Sequence, residues 1–308
     1  MSHPRRLWLD WLVDRTARAA FWVAFRLPYP RRVAMMGGVM RVVGSAIGYR
    51  TRAREQLAYI FPDMPKAERN RIAKGVLDNM GRLVIENYST TDQLEWAQRW
   101  QPKGPGWQAC EEARIQGRPI LFVSGHFGNY QAARAAMNVR GYEMGGLYRL
   151  MNNPFFNEHY VASVEGVGGP AFARDRRGLA GFVKNLRDGG QGAILIDQYF
   201  GDGELLDFLG KPAPTVLSAG EMALKYDALL VPIYAERQEN GIDFTVTVEA
   251  PLPHTDARQM TQALNDSLAA RIRARPEQWL WVHRRWKPAR QALNFPPHEP
   301  DPAREDHP

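Results

Sequence analysis

Between residues 119 and 274, short apolar segments that read as strands alternate with longer segments that read as helices. Strands are predicted at 119–123, 143–148, 170–173, 192–197, 229–236 and 243–249, and helices at 130–140, 154–165, 176–188, 216–226 and 256–274. Such alternation is typical of layered folds in which helices cover a sheet. We therefore predict an α/β fold with a mixed central sheet flanked by helices.

The N-terminal part of the chain has a different character, with helices predicted at 5–27, 31–48 and 52–60. Residues 1–54 contain 11 Lys or Arg and 2 Asp or Glu, whereas the whole chain carries a net charge of +7. Arginine interleaved with tryptophan and phenylalanine suits an anionic membrane surface. No segment reaches 18 uncharged apolar residues, so we predict an interfacial anchor and not a transmembrane span.

Three regions follow from these patterns. Residues 1–62 are predicted to be a helical, basic, membrane-associating region, and residues 63–290 an α/β domain with long helices at 66–89 and 107–116 before its first strand. The tail 291–308 is rich in Pro, Asp, Glu and His and is predicted to be disordered. The single cysteine, Cys110, excludes an internal disulfide and fits a reducing compartment.

Neither a metal nor a nucleotide is indicated. No Cys/His cluster has metal-ligand spacing, and neither Gly-rich nucleotide motif occurs, so we predict no metal and no cofactor. A pI of 9.6 would also suit nucleic acid. The basic excess coincides with the most apolar stretch, however, and no nucleic-acid motif is present, so we predict no nucleic-acid partner.

The first predicted strand leads directly to a histidine, His126, at a turn rich in glycine and ahead of a helix. A histidine with an ordinary pKa near 6.5 can take a proton from a hydroxyl at neutral pH. Such a base needs a partner that orients its second ring nitrogen. Gln131, five residues later, can accept that hydrogen bond but offers no negative charge. His126 and Asp197 both follow predicted strands, so both could open onto one crevice.

The pattern His126-x4-Gln131 resembles the His-x4-Asp/Glu motif of the glycerolipid and lysophospholipid acyltransferase superfamily. The residues His-Phe-Gly-Asn-Tyr are most similar to the bacterial branch that contains the lipid A late acyltransferases. Further blocks resembling that branch follow in order, at Leu147–Pro154, Ala193–Gln198, Phe208–Thr215, Leu229–Pro232 and Pro276–Lys287. The resemblance covers roughly Arg5 to Lys287.

The resemblance implies acyl transfer from a thioester to a lipid hydroxyl, with His126 as general base and residue 131 at the position of the family carboxylate. Arg149 could hold a phosphate or carboxylate, and backbone N–H groups of residues 125–128 or Arg149 could stabilise an oxyanion. Implied substrate-binding residues are Gly128, Asn129, Tyr148, Arg149, Asn153, Asp197, Gln198, Arg284 and Arg285. Arg284 and Arg285 alternate with Trp279, Trp281 and Trp286, which favours a lipid- or carrier-facing patch. His159, His254 and His283 receive no role.

The resemblance also implies partners and a location. The donor would be acyl–acyl carrier protein or, less in keeping with this branch, acyl-CoA. The acceptor would be a lipid A precursor or a lyso-aminolipid such as a lyso-ornithine lipid. The enzyme would sit at the cytoplasmic face of the bacterial inner membrane, peripheral or interfacially anchored.

Gln131 leaves three hypotheses open, since a comparable Asp-to-Asn change in serine proteases costs about 10⁴-fold in turnover. The glutamine is an introduced substitution that arrests turnover, a natural variant helped by another carboxylate, or the mark of a homologue that binds lipid without transferring an acyl group. A lipid-ester hydrolase is a further alternative. It needs a nucleophilic serine, for which Ser124 is the nearby candidate, but no Gly-x-Ser-x-Gly elbow is present.

Overall fold

The computed structural model describes residues 7–288 and Gln291. The predicted disordered tail, apart from Gln291, and the first six residues lie outside the described residues. The helices are α1 Leu7–Ala24, α2 Tyr29–Ala46, α3 Tyr49–Ile60, α4 Lys66–Asn87, α5 Thr90–Ala97, α6 Trp107–Ile115, α7 Tyr130–Asn138, α8 Pro154–Val167, α9 Arg176–Arg187, α10 Ser218–Tyr226 and α11 Ala257–Ala274. The strands are β1 Ile120–Ser124, β2 Met144–Tyr148, β3 Ala171–Ala173, β4 Gln191–Leu195, β5 Glu204–Phe208, β6 Lys211–Thr215, β7 Leu229–Arg237 and β8 Phe244–Val248.

Six strands form a central sheet in the order β3-β2-β4-β1-β7-β8. Neighbouring strands run parallel, except that β8 pairs antiparallel with β7. Helices cover both faces, and every residue of β1 is buried. Ile120 and Phe122 pack into one apolar cluster, whereas Leu121 and Val123 pack into another on the opposite face. The prediction of a mixed sheet flanked by helices is confirmed.

Among the described residues, the short helix α5, the hairpin formed by β5 and β6, and a single turn of 3-10 helix at Pro276–Gln278 were not predicted. Helix α5 has only eight residues, too few for a clear apolar period. Strand β6 contains Pro212 and Pro214, and proline removes a donor from a sheet ladder. These prolines are tolerated because β6 has a single partner, pairing them with Asp207 and Leu205 of β5.

The N-terminal helices pack against the α/β part of the molecule. Helix α2 lies against α4, where a Cβ on Gly81 would come within 2.2 Å of the Met36 carbonyl oxygen, so only glycine permits this approach. Helix α1 reaches α8 through Arg18, whose Nη2 donates to the Phe155 carbonyl at 3.3 Å. The Arg18 Nε also donates to the buried Asp14 carboxylate at 2.9 Å.

The outward surface of α1 and α2 is apolar and exposed. Large apolar side chains with more than a third of their surface exposed are concentrated there: Leu7, Trp8, Leu9, Trp11, Leu12, Val13, Trp22 and Val23 on α1, and Met35, Val39, Val42 and Val43 on α2. Arg26 lies 4.2 Å from the Trp22 ring and Arg15 lies 5.6 Å from the Trp11 ring. None of the helices among the described residues is both long enough and apolar enough to cross a bilayer.

Candidate active site

His126 and Asp197 meet at the carboxyl-terminal edge of the sheet. Strands β1 and β4 are parallel neighbours with Ser124 opposite Leu195, so the residues two positions beyond each strand end are adjacent. The His126 ring Nδ1 lies 2.8 Å from Asp197 Oδ1. The backbone N–H of His126 donates to Asp197 Oδ2 at 2.7 Å. One carboxylate therefore holds both the ring and the main chain of the histidine.

Asp197 is an ionised, buried carboxylate with only 3% of its surface exposed. Burial raises its pKa, but the opposing charge of His126, the hydrogen bonds from the His126 ring and backbone, and that from Trp279 together hold the pKa at about 2. Trp279 contributes its indole N–H, which donates to Oδ2 at 2.7 Å. Asp197 consequently carries a negative charge throughout the neutral range.

The carboxylate fixes the tautomer of His126. An ionised Asp197 accepts only, so Nδ1 of the ring must carry the proton in their 2.8 Å contact. Nε2 is then left with its lone pair, and its neighbour is the Gln198 side-chain amide at 3.5 Å. The His126 side chain is 18% exposed and lines a cavity. An oriented imidazole that lines a cavity is the arrangement that a general base requires.

Gln131 is not the partner of the His126 ring in this structure, contrary to the expectation from the motif. Its side chain is 2% exposed, and its Oε1 accepts a hydrogen bond from Arg134 Nη1 at 2.8 Å. The first turn of α7 directs Gln131 towards that guanidinium, while Asp197 occupies the Nδ1 side of the imidazole. The position at which the motif resemblance implied the partner of the histidine thus makes another contact here.

Arg134 is a buried cation, 5% exposed, held by neutral oxygens. Its donors reach Gln131 Oε1 and the carbonyl oxygens of Met144, Val164 and Gly168. Burial lowers the pKa of Arg134 to about 10, so it remains charged at neutral pH. Two of the carbonyls belong to the C-terminal end of α8, where a helix stabilises positive charge.

A cavity of about 790 Å³ opens beside His126, a size typical of sites for small ligands. Part of its lining belongs to the apolar cluster on the α7 side of the sheet, with Phe122, Ala133 and Met144, and we call this part the inner lobe. Another part of the lining, with Leu147 and Met222, belongs to the cluster on the opposite face of the sheet, and we call this part the outer lobe. Among the residues predicted to form a site, the cavity brings together His126, Gln131, Tyr148, Arg149, Asn153 and Gln198.

Gly128 and Asn129 shape the turn that carries His126 and are not among the residues that line the cavity. Gly128 has a φ of +56°, and a Cβ there would lie 1.9 Å from the Ala235 carbonyl oxygen. Asn129 caps α7, because its Oδ1 accepts from the backbone N–H of Gln131 and Ala132. Its amide donates to the buried Glu86 carboxylate at 2.8 Å. Both residues position the histidine.

The backbone N–H groups of this turn were expected to stabilise an oxyanion, but several are already engaged. The His126 N–H donates to Asp197, and the Gly128 N–H donates to the Gln278 carbonyl at 2.9 Å. The Asn129 N–H donates to the Ala235 carbonyl at 3.1 Å. Three N–H groups of this turn are therefore not available to an oxyanion.

Two arginines from neighbouring strands lie at the outer lobe. Arg149 follows β2 and Arg174 follows β3, and the last residues of these strands, Tyr148 and Ala173, pair in register. Both arginines are exposed and line the cavity. Among the described residues, neither arginine takes part in an ion pair with a carboxylate. Arg174 was not predicted to be a site residue, although it directly follows a predicted strand, as Arg149 does.

Arg285 does not belong to a lipid- or carrier-facing patch, which corrects the expectation for the C-terminal signature. It is fully buried and donates to the Pro214 carbonyl and, at 2.6 Å, to Thr215 Oγ1, so it secures the β5–β6 hairpin. Arg284 is exposed but is not a cavity-lining residue. The tryptophans of the segment are buried with ring centroids 4.7–6.4 Å apart: Trp279, Trp281 and Trp286. Aromatic packing outweighs the charge pattern here.

His283 is a second histidine near the site, and no role was predicted for it. Its Nε2 accepts the backbone N–H of Tyr199 at 3.0 Å, two residues beyond Asp197. Burial lowers the pKa of His283 to about 4, so the ring is neutral at neutral pH and can accept this bond. The contact braces the loop that carries Asp197. Within the described residues, no group of three or more His, Cys, Asp or Glu side chains is placed to hold a metal ion.

Comparison with known proteins identifies the family of this chain. A family model described as bacterial lipid A biosynthesis acyltransferase matches residues 1–288. A lipid A biosynthesis lauroyltransferase of Escherichia coli (strain K12) is 25% identical over 298 residues, covering 93% of this chain and 94% of that protein. A palmitoleoyltransferase of lipid A biosynthesis from the same organism is 23% identical over 299 residues, covering 92% of each. A lipid A biosynthesis acyltransferase of Haemophilus influenzae is 21% identical over 236 residues, covering 76% of this chain and 74% of that protein. The chain therefore belongs to the bacterial lipid A biosynthesis acyltransferase family and is an acyltransferase.

Proposed function

We propose that this enzyme moves a fatty acyl group from an acyl thioester to a hydroxyl of a lipid A precursor or a lyso-aminolipid, with His126 as general base. The observation that carries the proposal is the contact between His126 and Asp197, with His126 lining the cavity of about 790 Å³. An oriented imidazole in a ligand-sized cavity is what activation of an alcohol requires. The names of the relatives favour fatty acyl donors and lipid A precursors.

The reaction runs through a tetrahedral intermediate. His126 Nε2 takes the proton of the acceptor hydroxyl as its oxygen attacks the thioester carbonyl, and the imidazolium is stabilised by the Asp197 carboxylate. The intermediate collapses, the carbon–sulfur bond breaks, and the leaving thiolate takes the proton back from the imidazolium. Because Asp197 supplies the negative charge, a neutral Gln131 is compatible with turnover. This favours a natural glutamine that is helped by another carboxylate over an arrested enzyme.

The outer lobe suits an anionic part of a substrate. Arg149 and Arg174 lie side by side at strand ends and can bind phosphate or carboxylate oxygens. A phosphate occurs on the pantetheine arm of the thioester donors and on phosphorylated lipid acceptors. Acyl–acyl carrier protein is the donor we favour over acyl-CoA, because an acidic carrier complements a basic protein.

The N-terminal helices are the proposed membrane anchor, at the cytoplasmic face of the inner membrane. Tryptophan and valine on α1 and α2 are exposed beside arginine. Replacing Trp8, Trp11 and Trp22 with serine should reduce flotation with vesicles containing anionic phospholipid. Replacing Ile115, which is 76% exposed on α6, is the matched control and should leave flotation unchanged. Equal flotation of the wild-type protein and both variants would contradict the proposed membrane anchor.

The activity is tested with purified protein, ¹³C-labelled lauroyl–acyl carrier protein or lauroyl-CoA, and either a lipid A precursor or a lyso-ornithine lipid. We expect one acceptor to gain the mass of a lauroyl group, and His126→Ala to abolish that gain. Lipid profiling of cells that lack the gene should show the matching under-acylated species. Full transfer by His126→Ala would exclude this residue as the base.

A further inference from the structure

Within the described part of the chain, the hydroxyl of Ser124 is a buried polar group without a protein partner. Ser124 ends β1, two residues before His126, and is 6% exposed. Its Oγ has no hydrogen-bond partner among the described residues. Buried hydroxyls are normally hydrogen-bonded, because loss of water without a replacement is unfavourable. An unpaired hydroxyl in this position therefore points to a ligand.

The direction of the side chain supports this reading. Ser124 lines the cavity together with Phe122, two residues earlier on the same strand, and alternate residues of a strand face the same side. His126 lines the same cavity. The hydroxyl thus faces the inner lobe close to the proposed base.

The chemistry of the site calls for such a donor. Attack on a thioester carbonyl places negative charge on its oxygen, and this charge needs a preorganised hydrogen-bond donor. The backbone N–H groups of His126, Gly128 and Asn129 are already bonded to protein oxygens. Ser124 Oγ is a donor in the cavity that no acceptor in the described part of the chain uses.

We propose that Ser124 Oγ donates a hydrogen bond to the carbonyl oxygen of the bound acyl thioester and to the oxyanion formed from it. This rests on the proposed acyl transfer and assigns a further catalytic residue to that reaction. The acyl chain then extends from Ser124 into the inner lobe, beside Phe122, Ala133 and Met144. Ser124 does not form an ester. It lies in a strand in register with Leu195 and not on the strained strand-to-helix turn that presents nucleophilic serines.

Kinetics provide the first test. Ser124→Ala should lower kcat about 100-fold with a small change in KM, as expected when one oxyanion donor is lost. Ser124→Thr, which keeps a hydroxyl, should recover part of the loss. The matched control is Ser163→Ala, because Ser163 is also 6% exposed but its hydroxyl donates to the Tyr160 carbonyl at 2.7 Å. Ser163→Ala should keep the wild-type kcat. An unchanged kcat in Ser124→Ala would overturn the proposal.

A spectroscopic test works without turnover. Lauroyl-CoA labelled with ¹³C at the thioester carbonyl is bound to His126→Ala, and the carbonyl stretch is compared with that in His126→Ala/Ser124→Ala. We expect a lower frequency in the protein that keeps Ser124, since hydrogen bonding weakens the carbonyl bond. Identical frequencies, or a lauroyl ester on Ser124 found by mass spectrometry of the wild-type protein, would refute the assignment. If wild-type protein acylates no acceptor yet the frequency differs, the proposed function fails and the role of Ser124 in binding stands.

Discussion

Two places in the molecule could supply the partner of the His126 ring: the first turn of α7, which holds Gln131, and the loop after β4, which holds Asp197. Gln131 is five residues from the histidine in the chain, whereas Asp197 is 71 residues away. The distant residue makes the contact, because β1 and β4 are neighbours in register. Closeness in the chain is therefore a poorer guide to this pair than strand adjacency.

The two candidate partners of the His126 ring differ in charge and in the groups that bind them. Gln131 accepts from a buried arginine, Arg134, at 2.8 Å. Asp197 accepts from the His126 ring, the His126 backbone and the Trp279 indole. The negative charge beside the His126 ring is thus located after β4, and α7 offers a neutral amide to a cation.

Asp197→Asn should have the largest effect. The amide cannot stabilise an imidazolium and favours the wrong tautomer, so kcat should fall about 10²- to 10⁴-fold. Steady-state kinetics with a lauroyl thioester measure this. Asp266→Asn, an exposed carboxylate on α11, is the control and should keep the wild-type rate. A loss of less than threefold in kcat for Asp197→Asn would indicate that Gln131 on α7, and not Asp197, is the partner of the His126 ring.

Trp279→Phe should have the next largest effect, because it removes one donor to Asp197 Oδ2. We expect kcat to fall about tenfold, the scale of one charge-assisted hydrogen bond. Trp281→Phe is the matched control, since its indole donates to the Pro276 carbonyl at 2.7 Å. Both variants should lower the free energy of unfolding, but only Trp279→Phe should change kcat. Equal kcat losses would mean that packing alone is responsible.

His283→Asn tests the brace on the Asp197 loop through pH. The pKa of His283 is about 4 in the folded protein and near 6.5 when unfolded, so the unfolded chain binds the extra proton first as pH falls. The stability that the neutral ring contributes is thus present above about pH 6.5 and is lost as pH falls towards 4. Urea unfolding at several pH values should show a shallower decline for His283→Asn. Parallel curves would contradict the assignment.

Gln131→Glu should have the smallest effect on rate, within about threefold, because Nδ1 of His126 is already occupied and the new carboxylate faces Arg134. Kinetics under the conditions used for Asp197→Asn decide the point. A rise of an order of magnitude would show that residue 131 has the role that the motif resemblance implied.

The sequence allowed prediction of most elements, because short apolar runs bounded by turn residues, such as Ile120–Val123, are typical of buried strands. It also placed His126 and Asp197 at strand ends. It did not predict their contact, since the sheet order puts β4 beside β1 although β2 and β3 lie between them in the chain. The burial of Arg285 could not be predicted either, because the oxygen atoms that accept its hydrogen bonds belong to the β5–β6 hairpin, which was not predicted.

Asn153 joins two parts of the molecule that the proposed function uses separately. It caps α8, lines the cavity, and its amide donates to the Asp10 carbonyl of α1 at 2.7 Å. If α1 rests in the headgroup layer, this bond sets the height at which the cavity opens above the leaflet. An acceptor lipid can then tip its hydroxyl towards His126 while its tails stay immersed, so extraction into water is avoided.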